Sequence, residues 1–299
     1  MNPIRIIPKL EVKGPNLVKG VHLEGLRVLG KPEDFAYKYY LDGADELIYI
    51  DVVASLYGRN NLLEIVRKAA QRIFIPLTAG GGVRTLEDIN NLLCAGADKV
   101  AINTAAVRNP AFVKEAARFF GSQCIVVSIG AKLRGNEKYE AFTDNGREKT
   151  DKDVFEWAQE AADLGAGELL ITSIDREGTG RGYDLVLIER ISAAVPIPVI
   201  ACGGVGKVKD FLEGIKVGRA DAVCAASIFH YHQLKALPNR DSFFKEGNIE
   251  FLKKNRGNLD FLSGRLEPAE IQSVKQALLD SGRSCRFVNN FSEIDSREV

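Results

Sequence analysis

The 299-residue chain has no excess of charge of either sign, with 40 Lys and Arg against 40 Asp and Glu. It therefore carries no electrostatic footprint for nucleic acid or an anionic membrane, and neither is expected as a main partner. Cysteine is sparse and scattered: Cys94, Cys124, Cys202, Cys224 and Cys285 form no CxxC pair and have no histidine close by. That spacing argues against a zinc cluster and a disulfide framework, and leaves reduced thiols in mostly apolar surroundings. No metal and no redox cofactor is expected. Long apolar runs are also missing: none approaches the ~20 residues of a membrane span, and the opening "MNPIRIIPKL" lacks a secretory pattern. A cytoplasmic protein is the expectation. What remains is 45% hydrophobic residues, enough for a sizeable core.

That apolar material is distributed in short runs: "IRIIPKL", "ELIYIDV", "IPLTAGG", "KVAIN", "CIVVSI", "ELLITSI", "IPVIACGG" and "DAVCAAS". Amphipathic stretches with helix punctuation separate them. Pro32 opens one that stops at Gly43, Thr85 and Asp88 make a capping box, and Pro110 opens another that Gly121 closes. Eight strand–helix alternations argue for a parallel (β/α)8 barrel over an open sheet. An internal repeat supports this. "IPLTAGGGV" from Ile75 matches "IPVIACGGV" from Ile197, "ADKVAINTAA" from Ala97 matches "ADAVCAASIF" from Ala220, "DELIYID" from Asp45 matches "GELLITS" from Gly167, and "LEVK" from Leu10 matches "IGAK" from Ile129. Two similar half-barrels explain all four matches. The expectation is one barrel domain over 1–299, with an insertion at 233–265 after the eighth strand and a polar tail over 289–299.

In such a barrel the chemistry sits where the strands end. Those positions read Glu11, Asp51, Thr78, Asn103, Gly130, Ser173 with Asp175, Gly203 and Ser227. Gly81-Gly82 and Gly203-Gly204 each follow a strand and precede a helix, where backbone N–H groups reach an anion or simply make a tight turn. With Asn103-Thr104 and Ala226-Ser227 closing the neighbouring strands, the repeat favours two phosphate cradles. Asp51 ends an apolar strand, so it is either a site residue or a satisfied structural aspartate. "SIDREGTGRGYD" (173–184) is a glycine-rich loop or a solvated turn. His22 lies in the first loop, within reach of substrate, whereas His230 and His232 are expected at the surface. At the opposite end, Arg5, Glu46, Lys99 and Glu168 each start an apolar run, and together they would make an alternating ring of charge or independent surface pairs.

The motifs "LVKG", "DELIYIDVVAS", "GGGVRTLEDI", "GADKVAINTAA", "FGSQ", "GAGELLITSIDREGTGRGYD" and "ACGGVGK" resemble the cyclase subunit of imidazole glycerol phosphate synthase, the HisF-type barrel. The likeness spans roughly residues 4–232 and the last helix. It implies that a partner glutaminase releases ammonia, which crosses the barrel and cyclises a bis-phosphorylated ribonucleotide. By the same likeness Arg5, Glu46, Lys99 and Glu168 are the ammonia gate, and Asp98 meets the glutaminase. Gly82, Asn103 and Thr104 take one phosphate and Gly178, Gly204 and Ser227 the other. Lys19 and Asp51 match further active-site positions, and the strand-end reading adds Thr78, Ser173 and Asp175 as site candidates. Departures fall on the acid–base pair, two aspartates in the family, where this chain has Glu11 and Gly130. The resemblance thus leaves three readings: a cyclase relying on Glu11 and Asp51, an ammonia-channelling paralogue for acetamidino-sugar biosynthesis, or a non-catalytic glutaminase-activating scaffold.

Overall fold

The computed structural model describes residues 3–54, 62–135, 137–236 and 265–286. The first half of the chain forms β1 (Arg5–Lys13), β2 (Asn16–Val21), β3 (Glu24–Gly30), α1 (Pro32–Leu41), β4 (Leu47–Asp51), α2 (Leu62–Ala70), β5 (Leu77–Gly80), α3 (Leu86–Cys94), β6 (Lys99–Ile102), α4 (Thr104–Arg108) and α5 (Ala111–Phe120). The second forms β7 (Ile125–Leu133), β8 (Tyr139–Thr143), β9 (Glu148–Asp153), α6 (Val154–Asp163), β10 (Glu168–Ser173), α7 (Leu185–Ala194), β11 (Val199–Cys202), α8 (Val208–Lys216), β12 (Ala222–Ala225), α9 (Ser227–Ala236) and α10 (Ile271–Asp280).

β1, β4, β5, β6, β7, β10, β11 and β12 pair in parallel, each with the next. β12 returns to β1 in the register Arg5↔Ala222 to Pro8↔Ala225, which closes the (β/α)8 barrel. All eight apolar runs fall on these strands. Closure removes both sheet edges, so each strand is covered on two faces and reads as apolar throughout. In β1 the odd positions Arg5, Ile7, Lys9 and Glu11 share one side of the strand. Ile7 belongs to the inner cluster with Ile48, Ala101, Val126, Leu170 and Ile200, whereas Ile6, Leu10 and Val12 pack in the outer layer against the helices.

Two features were not legible as strands. β2 and β3 extend β1 as an antiparallel hairpin, and β8 and β9 extend β7 in the same way. Leu23 of the first hairpin, Phe142 of the second and Ile174 after β10 form a small apolar cluster that joins the hairpins across the mouth.

Local signals behave as their chemistry dictates. Thr85 and Asp88 make the reciprocal capping box of α3. Asp45, Asp98 and Asp221, each just before or at the base of a strand, accept the N–H of Ile6, Leu77 and Val199 at 2.8–2.9 Å. These three contacts tie the starts of neighbouring strands together. Of the insertion expected over 233–265, residues 233–236 form the last turn of α9. The remainder through 264, and the polar tail, lie outside the described residues. Gly81 has φ +106°, and a Cβ there would fall 2.3 Å from the Asp51 carbonyl oxygen. Gly81→Ala is expected to cost at least about 1–3 kcal/mol, read as a lower midpoint in urea unfolding; an unchanged midpoint contradicts this close approach.

Candidate active site

At the N-terminal end of the barrel four charges close a square. Arg5 lies 2.8 Å from both Glu46 and Glu168, and Lys99 lies 3.0 Å from both. Each cation touches two anions and each anion two cations, the arrangement that lets charge persist where water is scarce. Thr78 belongs here. It was expected at the C-terminal end of its strand, but β5 starts at Leu77, so Thr78 is its second residue and donates to Glu46 Oε1 at 2.7 Å. Asp98 serves the same face through its bond to Leu77, so its carboxylate has a structural task there.

Above the square the interior turns apolar, and then a second ionic cluster follows. Lys9 Nζ lies 2.9 Å from Glu11 Oε1, an ion pair whose alignment falls short of a hydrogen bond. Lys19 Nζ donates to Glu11 Oε2 at 2.9 Å and also to Glu177. All four side chains are buried. Burial alone would raise the Glu11 carboxyl, but Lys19 and then Lys9 outweigh it and hold Glu11 at about 2. For Lys9 burial works against the charge, and Glu11, Cys202 and Glu177 outweigh it, so the amine stays well above an ordinary lysine.

Among the described residues, two of the cavities are lined by strand ends and hairpins of the C-terminal face. The larger, about 340 Å³, is lined by Asp51, Gly81, Gly82, Asn103, Thr104 and Gly130, with Lys9 and Thr172 deeper and Arg84 and Arg108 among its cations. Asp51 Oδ1 accepts the N–H groups of Val53 and Ala54, while burial pushes its carboxyl up. Asn103 spends its amide on the carbonyls of Ser128 and Phe142. Thr104 shares hydrogen bonds with Asp144, whose negative charge Arg108 offsets at 3.1 Å. At Gly130 the wall carries no side chain, and a Cβ there would press on Ile174 Cδ1 at 3.3 Å and come within 3.5 Å of the Phe142 carbonyl oxygen.

The smaller cavity is lined by Lys19, Gly20, Arg27, Gly178, Ser227 and Tyr231 among others. The Gly204 carbonyl accepts the N–H of Gly182 at 2.8 Å, and at its φ of +104° an added Cβ would fall 2.2 Å from the Gly182 carbonyl oxygen. The two cavities are built reciprocally. The glycines and the Asn-Thr pair of the first half face Phe142, Asp144 and Gly146 of the second hairpin. Gly178 and Ser227 of the second half face residues 19–27 of the first hairpin.

Other expected positions are less central. Ser173 donates weakly to Asp184 at 3.4 Å, and Asp175 accepts the Leu133 N–H at 2.8 Å; neither lines the two cavities. His22 Nδ1 lies 3.0 Å from the Ile174 carbonyl. His230 is not at the surface: it is fully buried against Phe35, with Tyr39 Oη on its Nδ1, and burial lowers it to about 3. The inward face of α9 accounts for this, since a ring with a phenol partner packs there as an apolar disc. His232 is half-buried beside Glu270. Cys202 and Cys224 are buried free thiols, whereas Cys94 is exposed. Lys9, Arg108 and Asp144 carry no signal legible from the strand-end pattern, because a charge inside an apolar run or a hairpin turn shows its direction only once paired.

Comparison with known proteins agrees with this architecture. The model of the family described as "Histidine biosynthesis protein" matches residues 5–235. "Imidazole glycerol phosphate synthase subunit HisF" of Legionella pneumophila is 58% identical over 211 residues, covering 71% of this chain and 100% of that protein. No helix among the described residues is long and apolar enough to cross a membrane. With a barrel, a basal ion square and two mouth cavities in place, the match over most of its length shows that the chain belongs to the histidine biosynthesis protein family, among its HisF subunits.

Proposed function

We propose that this chain is the cyclase-type subunit of an imidazole glycerol phosphate synthase, using ammonia from a partner glutaminase on a bis-phosphorylated ribonucleotide. The observation that carries the reading is the alignment of three parts on one barrel. The Arg5–Glu46–Lys99–Glu168 square lies at one end, an apolar interior in the middle, and two cavities lined by glycines and hydroxyl groups at the other. The larger cavity would take one phosphate at Gly82, Asn103 and Thr104, and the smaller the other beside Lys19, Gly178 and Ser227. The square is the candidate gate, and ammonia is the candidate traveller.

The partner face has its own support. Leu41, Phe74, Phe119 and Val217 are exposed large apolar residues, and each ends a helix or precedes a strand at the gate end. Phe74 also meets the ring of Tyr40, and Phe119 that of Phe120. Aromatic groups grouped around a charged centre suit a protein interface. A glutaminase is the partner whose product the gate would admit.

One observation favours a second reading. The acid–base pair is altered, because Gly130 offers no carboxylate and Glu11 is held between two lysines. That suits an ammonia-delivering paralogue serving acetamidino-sugar biosynthesis. The deciding experiment assays the chain with ammonium salt and the ribonucleotide, then with glutaminase and glutamine. Turnover in both formats supports the cyclase. Stimulated glutaminase without ribonucleotide turnover supports delivery elsewhere, and neither activity overturns both readings.

A further inference from the structure

Lys9 belongs to a neutral group of two ammoniums and two carboxylates, but the four are not equally placed. Glu11 and Glu177 are buried behind the lysines, and Lys19 turns towards the smaller cavity. Lys9 alone of the four lines the larger cavity, in a wall it shares with Asp51, Gly130 and Thr172. Gly130 leaves that wall without a side chain, and Lys9 is the member of the ionic cluster that reaches it.

We propose that Lys9 is the ionic group this cavity presents to the interior part of a phosphorylated ligand, a specificity-determining contact to an electron-rich oxygen or nitrogen. The ligand class rests on the reading above; the contact itself rests on the placement of Lys9. Its ammonium has three donors and one close carboxylate, so donors remain for a ligand. A fixed positive charge in a cavity shielded from water interacts far more strongly than on the surface, and it needs no rearrangement to do so. Glu11 then acts as a positioning residue. It is the counter-charge that makes a buried ammonium tolerable and aims it.

Calorimetric titration tests this on wild type, Lys9→Met and Lys9→Met/Glu11→Gln, with inorganic phosphate and the bis-phosphorylated ribonucleotide as probes. The double variant removes one charge of each sign, so it keeps the cluster balanced should the single variant fail to fold. The expected result is ribonucleotide affinity at least ~10-fold weaker in the variants, since hydrogen bonds to charged groups are of that size, with phosphate affinity unchanged. Equal ribonucleotide affinity in wild type and double variant overturns the role of Lys9 and leaves the ligand class standing. Phosphate binding without ribonucleotide binding in wild type overturns the ligand class and this inference with it.

Discussion

Gly130→Asp should turn over the bis-phosphorylated ribonucleotide with ammonium salt about 10²–10⁴-fold faster than wild type, the usual contribution of one positioned acid–base group. The site can take the change if Ile174 shifts by a few tenths of an ångström. Gly130 does not require a positive φ, and its nearest neighbour to a new Cβ is the movable end of Ile174. It also lies in the wall of the larger cavity, so a carboxylate there would face the same space as Asp51 and Lys9. Glu11 does not fill that role in the present geometry, because both of its oxygens are occupied by ammonium groups. Adding Glu11→Asp shortens that arm by one methylene and tests whether the clamp tolerates the change. Rates in Gly130→Asp equal to wild type, in a folded protein, would show that the missing carboxylate is not what limits the reaction.

The largest effect on stability is expected at Glu11. Glu11→Gln leaves Lys9 without its carboxylate partner while Lys19 retains Glu177, a change of the kind that costs about 3–5 kcal/mol in buried pairs. The loss should show in urea unfolding at pH 7. Lys9→Met added to it should recover part of the loss, because it removes the orphaned charge. The pH dependence has a definite sign. A folded-state value of about 2 lies below the ordinary 4.5, so the ionised group stabilises the fold above pH 4.5. That contribution, about 3 kcal/mol, fades as the pH falls from 4.5 towards 2. The gap between wild type and Glu11→Gln should therefore narrow on acidification. A gap constant from pH 7 to pH 3 would mean that the lysines do not hold Glu11 ionised.

The barrel was legible because its strands announce themselves twice, once as apolar runs and again as a repeat between the halves. Both hairpins escaped notice because "KGPNLVKGVHLEGLRVLG" and "GNEKYEAFTDNGREKTD" mix polar and apolar residues without a core-facing stripe of their own. The basal square was visible as four charges at strand starts, since a charge there has one direction in which to find company. Thr78 was misplaced by two residues of strand length, which in a four-residue strand is the difference between one end of the barrel and the other. Lys9 stayed hidden for a related reason. Sequence shows a lysine within an apolar strand but not which cavity its tip reaches, and that depends on Glu11, Lys19 and the closed barrel together. His230 looked like a surface residue because a helix after the last strand gives no hint that Tyr39 waits on its inner side.

The reciprocal construction of the two cavities bears on how the molecule holds together. Each glycine cradle belongs to one half-barrel while the hairpin facing it belongs to the other. A two-ended ligand would thus act as a pair of rivets across the β6–β7 and β12–β1 seams, where the halves meet. Neither half alone would own a finished binding site. Filling both cavities would slow hydrogen exchange most at those seams, so the small molecule would lend the barrel the unity that duplication of its halves leaves unguarded.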